Sequence, residues 1–287
     1  ADQVYHTARR WLLAAPLTAW DPEEMKGYLR ELGIRSGGEV GTEREQIMVN
    51  VITSLDAPSE LQPLADLLVA TFGDRITSVI NTVVPQKYST PAPDNVQATH
   101  VLAGSGQMTA RVRGLDFLVS PASFFQTNPT QTETLYKLVE DLCNANAESV
   151  IYDLYCGTGT IGLSIARNTQ AKLVVGFEIV ESAVLDARKN AEANNVTAAQ
   201  FFCGDLSELL RTLDFRKEFG RPDVAIIDPP RPGMHPQCVK DVVRLWPKRI
   251  VYVSCNPSTQ ARDIAALHEQ GGYRLLSLHP VDMFPHS

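Results

Sequence analysis

The sequence predicts an α/β protein with a mostly parallel, helix-covered sheet, preceded by a small α+β unit. Three observations lead there. From Pro121 onward short apolar strands alternate with helical stretches, the pattern of successive βα units. Before that point strands follow one another with one clear helix among them. In the second half, every glycine-rich or acidic motif falls at the carboxyl end of a strand, where open α/β sheets hold their ligands. At 287 residues the chain can bury a sizeable core, and the change of pattern divides it into a domain at 1–120 and a larger one at 121–287.

The elements follow in order. Residues 22–32 carry mixed signals, with Pro22 and two acids at a possible helix start. Tyr28–Ser36 and Gln46–Ser54 read as two strands joined across a Gly-rich, charged turn, the second alternating well. Glu60–Phe72 places Leu61, Leu64, Leu67, Leu68 and Phe72 at helical spacing. Ile76–Val84 is a strand, and Pro85 to Pro93 a loop. Short strands around His100–Ala103, Gln107–Val112 and Leu115–Val119 close the first domain. In the second, a helix covers Thr130–Cys143. Strands are expected at Val150–Leu154, Leu173–Phe177, Ala199–Cys203, Val224–Ile227, Ile250–Ser254 and near Arg274–His279. Glu181–Asn194 is one of the helices between them.

Composition excludes several function classes. Hydrophobic residues at 44% and charged residues at 21% are ordinary for a globular domain, and no apolar run is long enough to span a membrane. The five cysteines are scattered without a C-x-x-C pair, which argues against a metal site or a disulfide framework and for a reducing, cytoplasmic setting. A net charge of -7 weighs against binding nucleic acid by bulk electrostatics. Local basic patches remain at Arg9 and Arg10, at Arg111 and Arg113, and at Arg244, Lys248 and Arg249.

The strand at Val150–Leu154 runs into Tyr155-Cys-Gly-Thr-Gly-Thr-Ile-Gly162 and then a helix. Such glycines let backbone turn tightly and approach a ligand, with helix N–H groups facing it. Gly157, Gly159 and Gly162 also satisfy the dinucleotide fingerprint, which alone is weak. Glu178, ending the next strand, suits the ribose hydroxyls of an adenosine, whether in a nicotinamide dinucleotide or in S-adenosylmethionine. Asp205 ends the third strand and suits an adenine amino group, or equally a helix N-cap. Asp228 opens Asp228-Pro-Pro-Arg231 at the fourth. No proton relay for nicotinamide chemistry is visible beside them.

Cys255 lies just past the apolar strand of Ile250–Ser254, beside Asn256-Pro257 and on the face that holds Asp228. Cysteine is frequently a small buried hydrophobe, but a strand terminus facing a ligand cleft favours a nucleophile.

With these blocks in place the sequence resembles the RNA 5-methyluridine methyltransferases, which modify transfer RNA and ribosomal RNA. The blocks are Ser123-Phe-Phe-Gln-Thr-Asn128, Asp153-Leu-Tyr-Cys-Gly-Thr-Gly159, Asp228-Pro-Pro-Arg-Pro-Gly233, Tyr252-Val-Ser-Cys-Asn-Pro257 and Asp282-Met-Phe-Pro-His286. The resemblance is dense from Pro121 to Ser287 and looser before it. It implies a Rossmann-like class I methyltransferase fold, S-adenosylmethionine as cofactor, an RNA substrate, no metal and a monomer. By position it implies that Gln126, Tyr155, Thr160, Glu178, Asp205 and Asp228 contact the cofactor and that Cys255 is the nucleophile. A thiolate adding to carbon 6 of uracil would make carbon 5 electron-rich enough to take a methyl group.

Departures from the family pattern carry expectations too. The chain opens at Ala1 and stops at Ser287 inside an unfinished element, so both ends read as cut. The family's general-base Glu and last strand would follow Ser287, and its N-terminal oligonucleotide-binding barrel is missing. This stretch alone is therefore expected to turn over poorly or not at all, with His286 flanking the substrate pocket. Cytosine-5 enzymes place a Cys beside the Pro of the fourth-strand motif, and Asp228-Pro-Pro-Arg231 has none. Two different classes of function also fit parts of the sequence: a non-catalytic RNA-binding module and a nicotinamide-dependent enzyme.

Overall fold

Val4, Ala8, Trp11 and Leu12 recur at helical spacing, and they fold the start of the chain into α1 (Asp2–Ala14). Val4 and Ala8 are fully buried, in one apolar cluster with Leu61, Leu64 and Leu68. The computed structural model describes residues 1–38, 45–88, 95–121, 123–212 and 215–284. The charged turn expected between the first two strands lies mostly outside them, as does the end of the Pro-rich loop.

No helix forms at residues 22–32. The Asp21 Oδ1 accepts the backbone N–H of Glu23 at 2.8 Å and of Glu24 at 3.0 Å, closing a turn in place of a helical start. The Lys26 N–H then returns to the Asp21 carbonyl.

Strands β1 (Leu29–Gly38) and β2 (Glu45–Thr53) pair antiparallel with Ile34 opposite Val49. After β2 the chain crosses over through α2 (Gln62–Phe72) to β3 (Ile76–Val83), which lies parallel to β2. Then β4 (Ala98–Gly104) returns antiparallel, followed by β5 (Met108–Val112) and β6 (Leu115–Val119). The six strands run in the order β4-β3-β2-β1-β5-β6.

The second sheet is the parallel one. Its strands are β7 (Val150–Leu154), β8 (Leu173–Glu178), β9 (Ala199–Cys203), β10 (Val224–Ile227) and β11 (Arg249–Tyr252), in the order β11-β10-β7-β8-β9. Every neighbouring pair is parallel. The order reverses between β7 and β10, and such a switch point opens a crevice at the strand ends. Around the sheet lie α3 (Pro129–Cys143), α4 (Thr160–Thr169), α5 (Glu181–Ala193), α6 (Leu206–Thr212), α7 (Phe215–Phe219), α8 (Pro236–Leu245) and α9 (Pro257–Gly271). Tyr152, Phe177 and Phe215 fill one side of it, and the Tyr152 hydroxyl donates to the Phe215 carbonyl at 3.0 Å.

The strand expected near Arg274–His279 is not formed. The segment is irregular, with Leu275, Leu276 and Leu278 exposed by 59, 74 and 67%. A strand needs a neighbouring backbone to satisfy its N–H and C=O groups, and no described strand pairs with this segment. Contacts divide the chain into two units, Ala1–Arg111 with Phe117–Ala122 and Val112–Asp116 with Ser123–Ser287. No described helix is long and apolar enough to cross a membrane.

Candidate active site

The loop after β7 is shaped by where it must pass. Tyr155 takes φ +67, Gly157 φ +53 and Gly159 φ +78, so the chain turns sharply into the N-terminus of α4. A Cβ on Gly159 would meet the Phe201 ring at 2.9 Å, and one on Gly162 would meet the Asp153 Oδ2 at 2.8 Å. The first glycine lets the loop, and the second the start of α4, lie close against its neighbours. Thr160 begins α4 buried, its hydroxyl 2.8 Å from that of Tyr136. The Tyr155 side chain packs against the apolar cluster containing Leu206 and Cys238, and burial pushes its phenol up.

Glu178 is half-buried at the end of β8. Its Oε2 accepts the Gly157 N–H at 3.0 Å, and its Oε1 accepts those of Ile179 and Val180 at 2.8 and 2.9 Å. These bonds fix the carboxylate at the loop and leave a lone pair on Oε2 for a further donor. Asp205 is exposed after β9, and its Oδ1 accepts the Glu208 N–H at 2.9 Å. It therefore takes the helix-capping role on α6 with one of its two oxygens. Asp228 follows β10 with its backbone N–H on the Leu154 carbonyl, and burial raises its carboxyl to about 6.

Asp153 lies beneath them, 1% exposed, with Oδ2 accepting the Gly162 N–H at 3.0 Å and Oδ1 without a hydrogen-bond partner. Burial first, then the Asp228 charge, lifts its carboxyl to about 8. The native state keeps this proton up to about pH 8 while the unfolded chain loses it near 3.8, so the folded form binds more protons between the two. Stability should therefore fall as pH rises through that window, Asp228 adding to the slope at its lower end. Asp153→Asn keeps an acceptor for Gly162 and removes the charge. Thermal melts from pH 5 to 9 should show a flatter profile and a higher melting temperature at pH 8. An unchanged slope would contradict this.

Cys255 is exposed, three residues past the end of β11. Since Tyr252 pairs with Ile227 across parallel strands, the Cys255 and Asp228 segments leave adjacent strands at the same, carboxyl end of the sheet. Asn256 caps α9 by accepting the Ser258 N–H at 3.1 Å, and its Nδ2 donates to the Arg231 carbonyl at 3.2 Å. Of the other cysteines, Cys143, Cys156 and Cys238 are buried and Cys203 is exposed as the last residue of β9. Burial lifts the thiol of Cys143 to about 12 and that of Cys156 well above its ordinary value.

Gln126 is half-buried in the loop before α3. The helix cap beside it is Asn128, whose Oδ1 accepts the Gln131 N–H at 3.1 Å. The Asn128 Nδ2 donates to the Met283 carbonyl at 3.3 Å, which joins the first and last motif blocks. Pro285 and His286 lie outside the described residues.

A family model described as tRNA (Uracil-5-)-methyltransferase matches residues 107–287. The chain belongs to this family. An uncharacterized RNA methyltransferase of Chlorobaculum tepidum is 38% identical over 284 residues, 99% of this chain and 57% of its own length. One from Bacteroides thetaiotaomicron is 40% identical over 264 residues, 91% of this chain and 55% of its own. The chain thus spans a little over half the length of these relatives. Among solved structures, the tRNA (uracil-54, C5)-methyltransferase of Pyrococcus abyssi in complex with S-adenosyl-L-homocysteine superposes with a TM-score of 0.72. It is 31% identical, and the match covers 98% of this chain and 63% of that one.

In this member of the uracil-5-methyltransferase family the parallel sheet brings Tyr155, Thr160, Glu178, Asp205, Asp228 and Cys255 to its carboxyl ends. Sequence reasoning does not single out Asp153, Asn128 or Asp263 as site residues. An acid one residue before a strand's end is a usable signal for the first. The other two act through partners 155 and 29 residues away, which spacing does not reveal. The basic patches resolve differently. Arg113 pairs with Glu140 at 2.7 Å, Lys248 with Asp223 at 2.6 Å, and Arg249 donates to the Leu142 carbonyl, whereas Arg9 and Arg10 stand exposed on α1. Among the described residues no group of three or more His, Cys, Asp or Glu side chains is placed to hold a metal.

Proposed function

We propose that this chain carries the methyl-transfer site of an enzyme that methylates carbon 5 of a uridine in RNA, with Cys255 as covalent nucleophile. The observation that carries the reading is an exposed thiol after β11, next to the Asp228 strand end and one strand further from the glycine loop of β7. The residues present suit S-adenosylmethionine. The glycine loop leaves room for close approach, Glu178 offers a fixed, charged acceptor to ribose hydroxyls, and Asp228 supplies negative charge beside a sulfonium. When bound, that cofactor supplies an electrophilic methyl group.

The chain's own part is to activate the pyrimidine. The Cys255 sulfur forms a bond to carbon 6, and the electron pair of the 5,6 double bond moves onto the ring carbonyl as an enolate. Carbon 5 thereby becomes a nucleophile. After methylation, loss of the carbon 5 proton to a base restores the double bond and expels the thiolate. Transfer RNA is the favoured substrate, since the Pyrococcus relative is named for position 54 of tRNA. A cytoplasmic setting fits the scattered cysteines.

The direct test is incubation of stoichiometric protein with tRNA or rRNA and methyl-labelled S-adenosylmethionine, followed by nucleoside separation. Label on carbon 5 of a uridine is expected, as released 5-methyluridine or as the same nucleotide still bound to the protein. Label in 5-methylcytidine or an N-methylated base would refute the reading. A pH signature accompanies it. Asp228 loses its charge as pH falls through about 6, so the preference for cationic S-adenosylmethionine over neutral-sulfur S-adenosylhomocysteine should shrink from pH 8 to pH 5. Calorimetry with both ligands measures this, and a constant ratio would argue against Asp228 facing the sulfonium.

A further inference from the structure

One buried carboxylate outside the ligand-facing set joins three segments of the site. Asp263, on the second turn of α9, is 1% exposed. Its Oδ2 accepts the Met234 backbone N–H at 2.7 Å and the Tyr252 hydroxyl at 2.7 Å. Its Oδ1 accepts Nε of Arg262 at 2.9 Å and another Arg262 nitrogen at 2.7 Å. Met234 closes the Asp228-Pro-Pro-Arg-Pro-Gly233 loop, and Tyr252 is the last residue of β11 before Cys255.

Arg262 grips the same loop from the other side, donating to the carbonyls of Pro232 at 2.9 Å and Met234 at 3.2 Å. One turn earlier, Asn256 and Thr259 both donate to the Arg231 carbonyl. Positions 256, 259, 262 and 263 share a face of α9, and that face follows the loop backbone. Gly233 is where the two surfaces meet. It has φ +78, and a Cβ there would lie 2.6 Å from the Asp263 Oδ2 and 3.0 Å from the Thr259 Cβ.

We infer that Asp263 is a positioning residue, whose carboxylate ties the end of the Asp228 loop to the end of β11 and so fixes the Cys255 thiol relative to Asp228. This role rests on the function proposed above. An acid satisfied only by the adjacent Arg262 would serve helix stability. A single oxygen shared by Met234 and Tyr252 instead couples the two strand exits that carry the reacting groups. An amide replaces it only in part, because its one acceptor oxygen can keep Met234 and Tyr252 only with the NH2 turned against the Arg262 donors.

The test uses the full chain with Asp263→Asn, and with Tyr252→Phe, which deletes only the hydroxyl given to Asp263. Three quantities are measured: S-adenosylhomocysteine affinity, the rate of covalent adduct formation with 5-fluorouridine RNA at saturating RNA, and hydrogen exchange. Asp263→Asn is expected to slow the adduct at least tenfold while cofactor affinity stays within threefold. Exchange should quicken in both 229–235 and 252–256, with the loop at 157–162 unchanged. Tyr252→Phe should give a smaller slowing that adds nothing in the double variant.

A normal adduct rate in Asp263→Asn would overturn the inference. So would a loss matched by equal losses of cofactor affinity and melting temperature, which is the mark of a merely structural acid. If Asp263→Asn does not fold, Tyr252→Phe decides, and a wild-type rate there overturns the tie. Failure of the wild type itself to form the adduct would remove the proposed function and this inference with it, whereas failure of the variants alone to differ removes only the latter.

Discussion

Cys255→Ala should lower the single-turnover rate of methyl transfer to uridine at least ~10⁴-fold while leaving S-adenosylhomocysteine affinity within about threefold. The size of the effect follows from what carbon 5 of uracil lacks. Without addition at carbon 6 it has too little electron density to take a methyl group, and no neighbouring thiol can substitute. Cys156 and Cys143 are buried with thiols held protonated, Cys238 is buried against Ser207, and Cys203 is exposed two strands beyond β7. A loss of ~10⁴ corresponds to roughly 5.4 kcal/mol of transition-state stabilisation. The residues proposed to hold the cofactor lie at the ends of β7, β8 and β10, which the substitution does not touch. Rate and binding measured on the same preparation check the split, and a parallel loss of both would point to misfolding.

Glu178→Ala comes second, with cofactor affinity expected to fall by about 1–3 kcal/mol, or roughly 5- to 150-fold. Two losses combine. The ribose hydroxyls lose a charged acceptor, and the N–H groups of Gly157, Ile179 and Val180 lose the oxygens that hold the loop around them. Glu178→Gln separates the two, because its remaining oxygen can still accept from one side. It should fall between wild type and Ala. Calorimetry with S-adenosylhomocysteine makes the comparison, and an Ala variant that binds as wild type would remove Glu178 from the cofactor site.

Much of the fold is legible in the sequence because its causes are local. Glycines at 157, 159 and 162 mark a sharp turn from strand to helix, and the structure has Gly157 and Gly159 at positive φ and no room for a Cβ at Gly159 or Gly162. Apolar runs bounded by acids point to the parallel strands, since strands covered on both faces need no alternation. The first helix is harder to see although Val4, Ala8, Trp11 and Leu12 lie at helical spacing, because the exposed Tyr5 and Leu13 blur the apolar stripe. At 274–279 the apolar residues are there, but a strand also needs a partner that no sequence pattern supplies.

The site is legible to a similar depth. Acids at strand ends can be read off, and the helix-capping alternative for Asp205 is the one that α6 shows. Long-range partners cannot be read off: the hydroxyl of Thr160 meets that of Tyr136 from 24 residues away. Gln126 comes from resemblance alone, and the helix cap near it is Asn128. The polar ties that join distant motif blocks, Asn128 to Met283 and Asp263 to Met234, exist only once the chain has folded.

A covalent bond between one sulfur and carbon 6 of a uracil is what the proposed chemistry requires. Fluorine at carbon 5 cannot depart as a proton does, so RNA carrying 5-fluorouridine should accumulate the methylated adduct in the presence of S-adenosylmethionine. Nuclease and protease digestion followed by mass spectrometry should then find the modified nucleotide on the peptide that contains Cys255. An adduct on Cys203, or one that persists in Cys255→Ala, would contradict this chemistry.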